Sequence, residues 1–215
     1  MLASRLAGDA AGYSSILVGG IGAALIFLLQ LALYRMTHNR LLFSIFLVAA
    51  ICLTLAWFIF FLFMPILWMD ALPAYAKLIV VSILLFLYAV NFLKCREEFL
   101  SRRSAGSDPL PRGRFNRAKG TIAGEKIVLS LKHEPNLYIP GLPPRYSTAV
   151  GVPLVVHMLL GLNFRDVYPV FSAFAWGIPS AVITSFIFQL IGQKMGEARK
   201  VQEIQAELKV DLQSA

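Results

Sequence analysis

Five stretches of the chain are almost free of charge, and short polar segments separate them. A membrane-crossing helix needs about 20 mainly apolar residues to cover roughly 30 Å of hydrocarbon. Ile16 to Tyr34 meets that need with one polar amide, Gln30. Leu41 to Trp68 is longer than one crossing requires, which predicts a tilt or a bend near Pro65, where the ring removes a backbone donor. Leu78 to Leu93 is shorter, but Lys77 and Lys94 close it and their stems can snorkel outwards.

The last two apolar stretches are less uniform. Ser147 to Leu162 has 16 residues and contains Gly151, Pro153 and Gly161; as a helix it would cover about 24 Å. Val170 to Gly192 is long enough but holds Pro179. The pattern predicts two spans joined by a tight outer turn at "NFRDVYP", the alternative being a hairpin that enters and leaves on one side. Either way the C-terminus returns to the side it left, because non-helical backbone cannot face lipid.

Composition agrees with this pattern. The chain is 58% hydrophobic and 15% charged, with a mean hydropathy of +0.69, against about 25% charged in soluble domains. The first apolar run is too long and too poorly flanked for a cleavable signal peptide, so it reads as a retained span. Cys52 lies inside an apolar run and Cys95 beside a basic segment, so no disulfide is expected. No His or Cys has a second ligand at metal-binding spacing, and no metal or cofactor is expected.

Charge then orients the spans. If the 35–40 turn, the 94–146 region and the tail share one side, that side holds seventeen of the twenty basic residues. Cytoplasmic loops are the Lys- and Arg-rich ones. The expected fold is therefore an all-α polytopic membrane protein of about five transmembrane helices, N-out and C-in. It divides into an outer segment 1–15, a three-helix unit 16–93, an irregular cytoplasmic insert 94–146, a helix pair 147–192 and an amphipathic tail helix 193–215. Trp68 and Tyr75 near the outer boundary and Tyr34 near the inner one fit aromatic belts.

Arg35, Arg40, Lys94, Arg96, Arg102, Arg103, Arg112, Arg114, Arg117 and Lys119 are read as topogenic, and they suit anionic lipid headgroups. The segment lacks interleaved stacking aromatics apart from Phe115, which argues against nucleic acid. Its first half reads as linker and Lys126 to Lys132 as one β-like run. One strand needs a partner: another protein, a second copy, or an interfacial position with Leu137, Tyr138 and Ile139 dipping in. The plainer alternative is a connector on the bilayer surface. In the tail, Val201, Ile204, Leu208 and Leu212 form a narrow apolar seam suited to helix pairing, against a frayed solvated terminus as the plain alternative.

Few residues offer chemistry. His157 is titratable within an apolar stretch, so it is a proton-relay or pore candidate, or it makes one interhelical hydrogen bond. Gln30, Asn91, Thr184 and Gln189 read as interhelical hydrogen-bonding groups. Gly19, Gly20, Ala23 and Ala24 in the first span, and Ala173, Gly177 and Ala181 in the fifth, form small-residue packing faces. Pro153 and Pro179 read first as packing kinks, and otherwise as helix breaks around a midplane site. Enzyme signatures are absent, so no catalytic activity is expected.

The first expectation is a non-enzymatic subunit of a bacterial inner-membrane assembly, anchoring or scaffolding other subunits or itself through helix faces, insert and tail. The alternative is a small homo-oligomeric channel, pore-forming effector or transporter with His157 near the path. An organellar membrane would carry a similar charge bias.

Overall fold

Apolar side chains cluster from both termini of a long C-terminal helix, and that helix organises the chain. The structure, a computed structural model, describes residues 9–36, 40–101, 115–116, 121–122, 138–139, 151–209 and 213–214. Its elements are α1 (Asp9–Met36), α2 (Arg40–Phe60), α3 (Met64–Trp68), α4 (Ala74–Ser101), α5 (Gly151–Phe164) and α6 (Pro169–Leu208). No strand among the described residues exceeds two residues. β1 (Phe115–Asn116) pairs antiparallel with β2 (Thr121–Ile122), which pairs parallel with β3 (Gln213–Ser214), so insert and chain end share one small ladder. The Lys126–Lys132 run lies outside the described residues.

Four helices are long and apolar enough to cross a membrane: Gly12–Arg35, Leu41–Phe60, Ala74–Leu100 and Pro169–Ala206. This is a helical, multi-pass membrane architecture. The fifth apolar segment is shorter than expected. α5 has 14 residues, about 21 Å at 1.5 Å per residue. Pro153 falls in its first turn, where a missing N–H costs nothing. At its other end Tyr168 N–H closes on Phe164 O at 2.8 Å, and Pro169 opens α6. A tight turn thus joins α5 to α6, and the hairpin is sealed where Ser172 Oγ donates to Gly161 O at 2.7 Å.

The second apolar stretch ends its long helix at Phe60, five residues ahead of Pro65. The chain tightens there: Phe61, Leu62 and Phe63 donate to Phe58, Ile59 and Phe60 at 3.3, 3.0 and 2.9 Å. These are i to i+3 bonds, the tighter helical form. Pro65 then occupies the first turn of α3 instead of bending a continuous helix.

α6 runs unbroken for 40 residues, so the fifth apolar stretch and the tail are one helix, with no boundary at 192/193. Leu41 and Ile45 of α2 pack on Ala198, Val201 and Ile204 of α6, with Phe99 of α4 against the same cluster. At the opposite end Phe63, Ile66 and Met69 pack on Ala173, with Leu84 and Tyr88 of α4. α2 therefore runs antiparallel to α6, and α4 runs parallel to it. α1 reaches the first end through Tyr34, whose ring meets Phe43 at 5.4 Å. We call this the basic end, because Arg35, Arg96 and Arg199 lie in the helix turns nearest it.

α4 and α6 keep a nearly constant register. Tyr88 stacks on Phe188 at 4.5 Å and 9°, Gly192 lies on the Phe92 carbonyl, and a Cβ added at Gly196 would lie 3.4 Å from the Arg96 carbonyl. A side chain at 192 would strike backbone, not a movable side chain. Gly20 of α1, in contrast, faces open space. Overpacking of this kind costs about 1–3 kcal/mol, so Gly192→Leu should lower the thermal midpoint in detergent. Gly20→Leu should leave the midpoint of the isolated chain unchanged when both are followed by tryptophan fluorescence.

Candidate functional site

A run of buried polar groups follows α6, starting at its interface with α4. At its top is Asn91, which has no exposed surface. Its Nδ2 donates to Leu87 O at 2.8 Å and to Tyr138 O at 3.0 Å. Its Oδ1 accepts from Tyr138 N–H at 2.9 Å and from Gln189 Nε2 at 2.7 Å. Two donors and two acceptor positions are the whole capacity of a carboxamide, so Asn91 is saturated. Its orientation is unambiguous, since the Tyr138 N–H can only donate and its carbonyl only accept.

The consequence is a strap. Tyr138 belongs to the insert, yet its backbone is held against α4 as if by a neighbouring strand, with the Asn91 side chain standing in for a peptide group. Irregular backbone at this position needs both polar groups paired, and Asn91 pairs both. The Lys94 ammonium lies 5.9 Å from the centre of the Tyr138 ring. Tyr138 thus docks on α4 through its backbone, Ile139 is half-buried, and Leu137 lies outside the described residues.

Toward the basic end the seam becomes ionic. Lys194 Nζ meets Glu197 Oε2 at 2.7 Å, with both side chains at most 4% exposed. Lys200 is 2% exposed and reaches Glu203 at 3.3 Å, a carboxylate that Arg199 also meets at 3.3 Å. Gln193 is buried beside them. Lys194, Glu197 and Lys200 are buried because α6 is covered on two sides, by α2 and α4, so more of the tail helix is packed than the narrow seam expected. Val201 and Ile204 turn inward onto Leu41 and Ile45 for the same reason. Leu208 ends α6, and Leu212 lies outside the described residues.

The remaining candidates are distributed around the bundle. Gln30 Nε2 donates to Thr54 Oγ1 at 3.3 Å, bridging α1 and α2. Thr184 instead donates to the Ser180 carbonyl of its own helix. Ser180 and Ser185 do likewise to Gly177 and Ala181 at 2.8 and 2.9 Å, satisfying hydroxyls near Pro179 within α6. His157 is exposed on α5, its ring 6.0 Å from Phe171 of α6.

Ala173, Gly177 and Ala181 pack on the α2–α3 corner, with Gly177 against Ile66. In α1 the packed face is Gly19 and Gly22, under Phe61 and Trp57, with Trp57 Nε1 donating to Gly19 O at 3.1 Å. Gly20, Ala23 and Ala24 face outward. Arg35 and Lys94 are exposed and Arg96 is half-buried, while Arg40 opens α2. Arg102, Arg103, Arg112, Arg114, Arg117 and Lys119 lie outside the described residues. No group of three His, Cys, Asp or Glu able to hold a metal occurs among the described residues.

Lys194, Glu197 and Lys200 were not singled out by the sequence pattern. The available signal was the 3 and 4 spacing of opposite charges along 194–203, which stabilises an exposed helix equally well. Removing one partner of a buried pair costs about 3–5 kcal/mol, because the other charge is stranded. Glu197→Leu should therefore lower the thermal midpoint strongly, and Lys194→Leu combined with Glu197→Leu should restore most of the loss. Asn91→Leu orphans both backbone groups of Tyr138 at about 1–3 kcal/mol each. Its expected signature is a lower midpoint and faster tryptic cleavage at Lys132 and Arg145, on either side of the strap. No protein-family model, curated protein or solved structure matches this chain.

Proposed function

We propose that the protein is a non-enzymatic, multi-pass subunit of a bacterial inner-membrane assembly, N-out and C-in. Its basic end would lie at the cytoplasmic headgroups of anionic lipid. The observation that carries this is the bareness of α1. Only 6% of its membrane-length window is buried within the chain, against 56% for α6. Phe27, Leu25 and Ile21 are all more than half exposed, and a Cβ added at Gly20 would meet no other element within 4 Å.

Lipid solvates such a face without penalty, so exposure alone says little. Small residues matter because helix association in lipid is driven by close van der Waals contact. Gly20, Ala23 and Ala24 leave a shallow ridge where another helix can approach closely, and the chain's own helices leave it uncovered. On the cytoplasmic side the Tyr138 strap and the β2–β3 pairing bring insert and tail together. That composite surface suits a soluble partner better than two loose segments would.

The buried Lys194–Glu197 pair supports a second reading, a small homo-oligomeric channel or transporter, since ionisable groups inside membrane bundles commonly mark ion pathways. His157, facing outward, would reach such a path only between copies. One experiment separates the two. Gly20→Leu with Ala24→Leu should abolish co-purification of a partner subunit after gentle extraction from the native host, with the thermal midpoint retained. Unchanged co-purification, or ion flux from the purified chain alone in liposomes that Glu197→Gln alters, overturns the subunit reading in favour of the channel.

A further inference from the structure

A groove of about 570 Å³ opens between α4 and α6 at the basic end, lined by Leu93, Arg96, Glu97, Leu100 and Arg199. Its position follows from the α4 surface above it. Ile79, Ile83, Phe86 and Leu93 are each more than half exposed and recur at 3, 4 and 7 spacing, forming one apolar stripe. Continued by the same spacing, the stripe runs into Arg96, Glu97 and Leu100. The groove is thus where an apolar surface meets the side chains of two arginines, Arg96 and Arg199.

Arg199 Nε is engaged by Glu203 at 3.3 Å. One of five guanidinium donors is thereby used to hold the planar fork, and the others stay free to bind. Arg96 approaches from the facing helix. Arg96, Arg199 and Lys200 set against Glu97 and Glu203 leave a net charge of +1, which matches one phosphodiester. Arginine suits phosphate because its fork donates two parallel hydrogen bonds.

The geometry points to a binding site for one anionic glycerophospholipid, its phosphodiester between Arg96 and Arg199 and an acyl chain along Leu93 and the α4 stripe. Glu97 is placed to accept hydrogen bonds from a hydroxylated headgroup. The site rests on the membrane-spanning part of the proposed function and is independent of the partner subunit.

The test uses the full chain in phosphatidylcholine nanodiscs, with and without phosphatidylglycerol. Thermal midpoints and native mass spectrometry of retained lipid are the readouts. Wild-type protein should be stabilised by phosphatidylglycerol and should retain it. Arg96→Gln with Arg199→Gln should cut retention roughly tenfold and abolish the stabilisation, two charge-assisted contacts being lost. If the double variant fails to reconstitute, Arg199→Gln decides, because that side chain is 56% exposed and bears little on the core. Lys77→Gln, at the opposite end of α4, should leave the lipid response unchanged.

Equal loss in Lys77→Gln would reduce the effect to general surface charge and overturn the site. An equal rise with inorganic phosphate in phosphatidylcholine discs would replace the lipid by a free anion and also overturn it. Failure of the wild-type chain to enter nanodiscs would sink the membrane-spanning reading itself. Entry without any phosphatidylglycerol preference sinks the lipid site alone.

Discussion

A polar group taken out of water must find a partner, and in this chain much of that pairing runs along α6. Hydroxyls near Pro179 are turned back on their own helix, Gln189 reaches Asn91, and Lys194 is matched to Glu197. Two of these solutions are local and the third reaches across to α4, so α6 can be covered on two sides. The apolar clusters at its two ends then follow, one on Leu41 and Ile45, the other on Phe63 and Ile66. Without those pairings, close approach of α2 and α4 would strand donors and charges in a dry interface.

Close approach also needs space, and glycine supplies it only where a neighbour arrives. Gly192 admits the Phe92 carbonyl and Gly161 admits Ala175, whose Cβ would lie 2.7 Å from an added methyl. The same helix contact presents Asn91 to Gln189 and, beyond it, to the Tyr138 backbone. Packing and polar pairing are thus coupled: the α4–α6 spacing that glycine permits is the spacing at which one carboxamide can bridge two elements. That bridge anchors Tyr138 of the insert to the helices.

Burying the Lys194–Glu197 pair gives the bundle little net stability, since the desolvation of two charges offsets most of their attraction. What such a pair does supply is intolerance of misalignment. A slip of α6 against α2 would expose one charge to apolar side chains. The ion pair therefore favours one register of the helices, and it sits where the apolar contacts of Ala198 and Val201 begin.

Local sequence was enough to locate Ile16–Tyr34, Leu78–Leu93 and Val170–Gly192 as apolar helices, because hydrocarbon thickness demands length and charge exclusion. Lys94 and Arg96 likewise marked the end of an apolar stretch without any knowledge of neighbours. Which glycines of α1 are packed was illegible, since Gly19 and Gly20 share one composition and only the arrival of Trp57 and Phe61 separates them. Asn91 was visible as a polar residue in an apolar run, but its role depends on Tyr138, 47 residues away. Charge spacing from Lys194 to Glu203 described a helix equally at home in water, and only the placement of α2 and α4 made it an interior. Periodicity and length belong to one segment and can be read from it; burial belongs to at least two, and appears only when they meet.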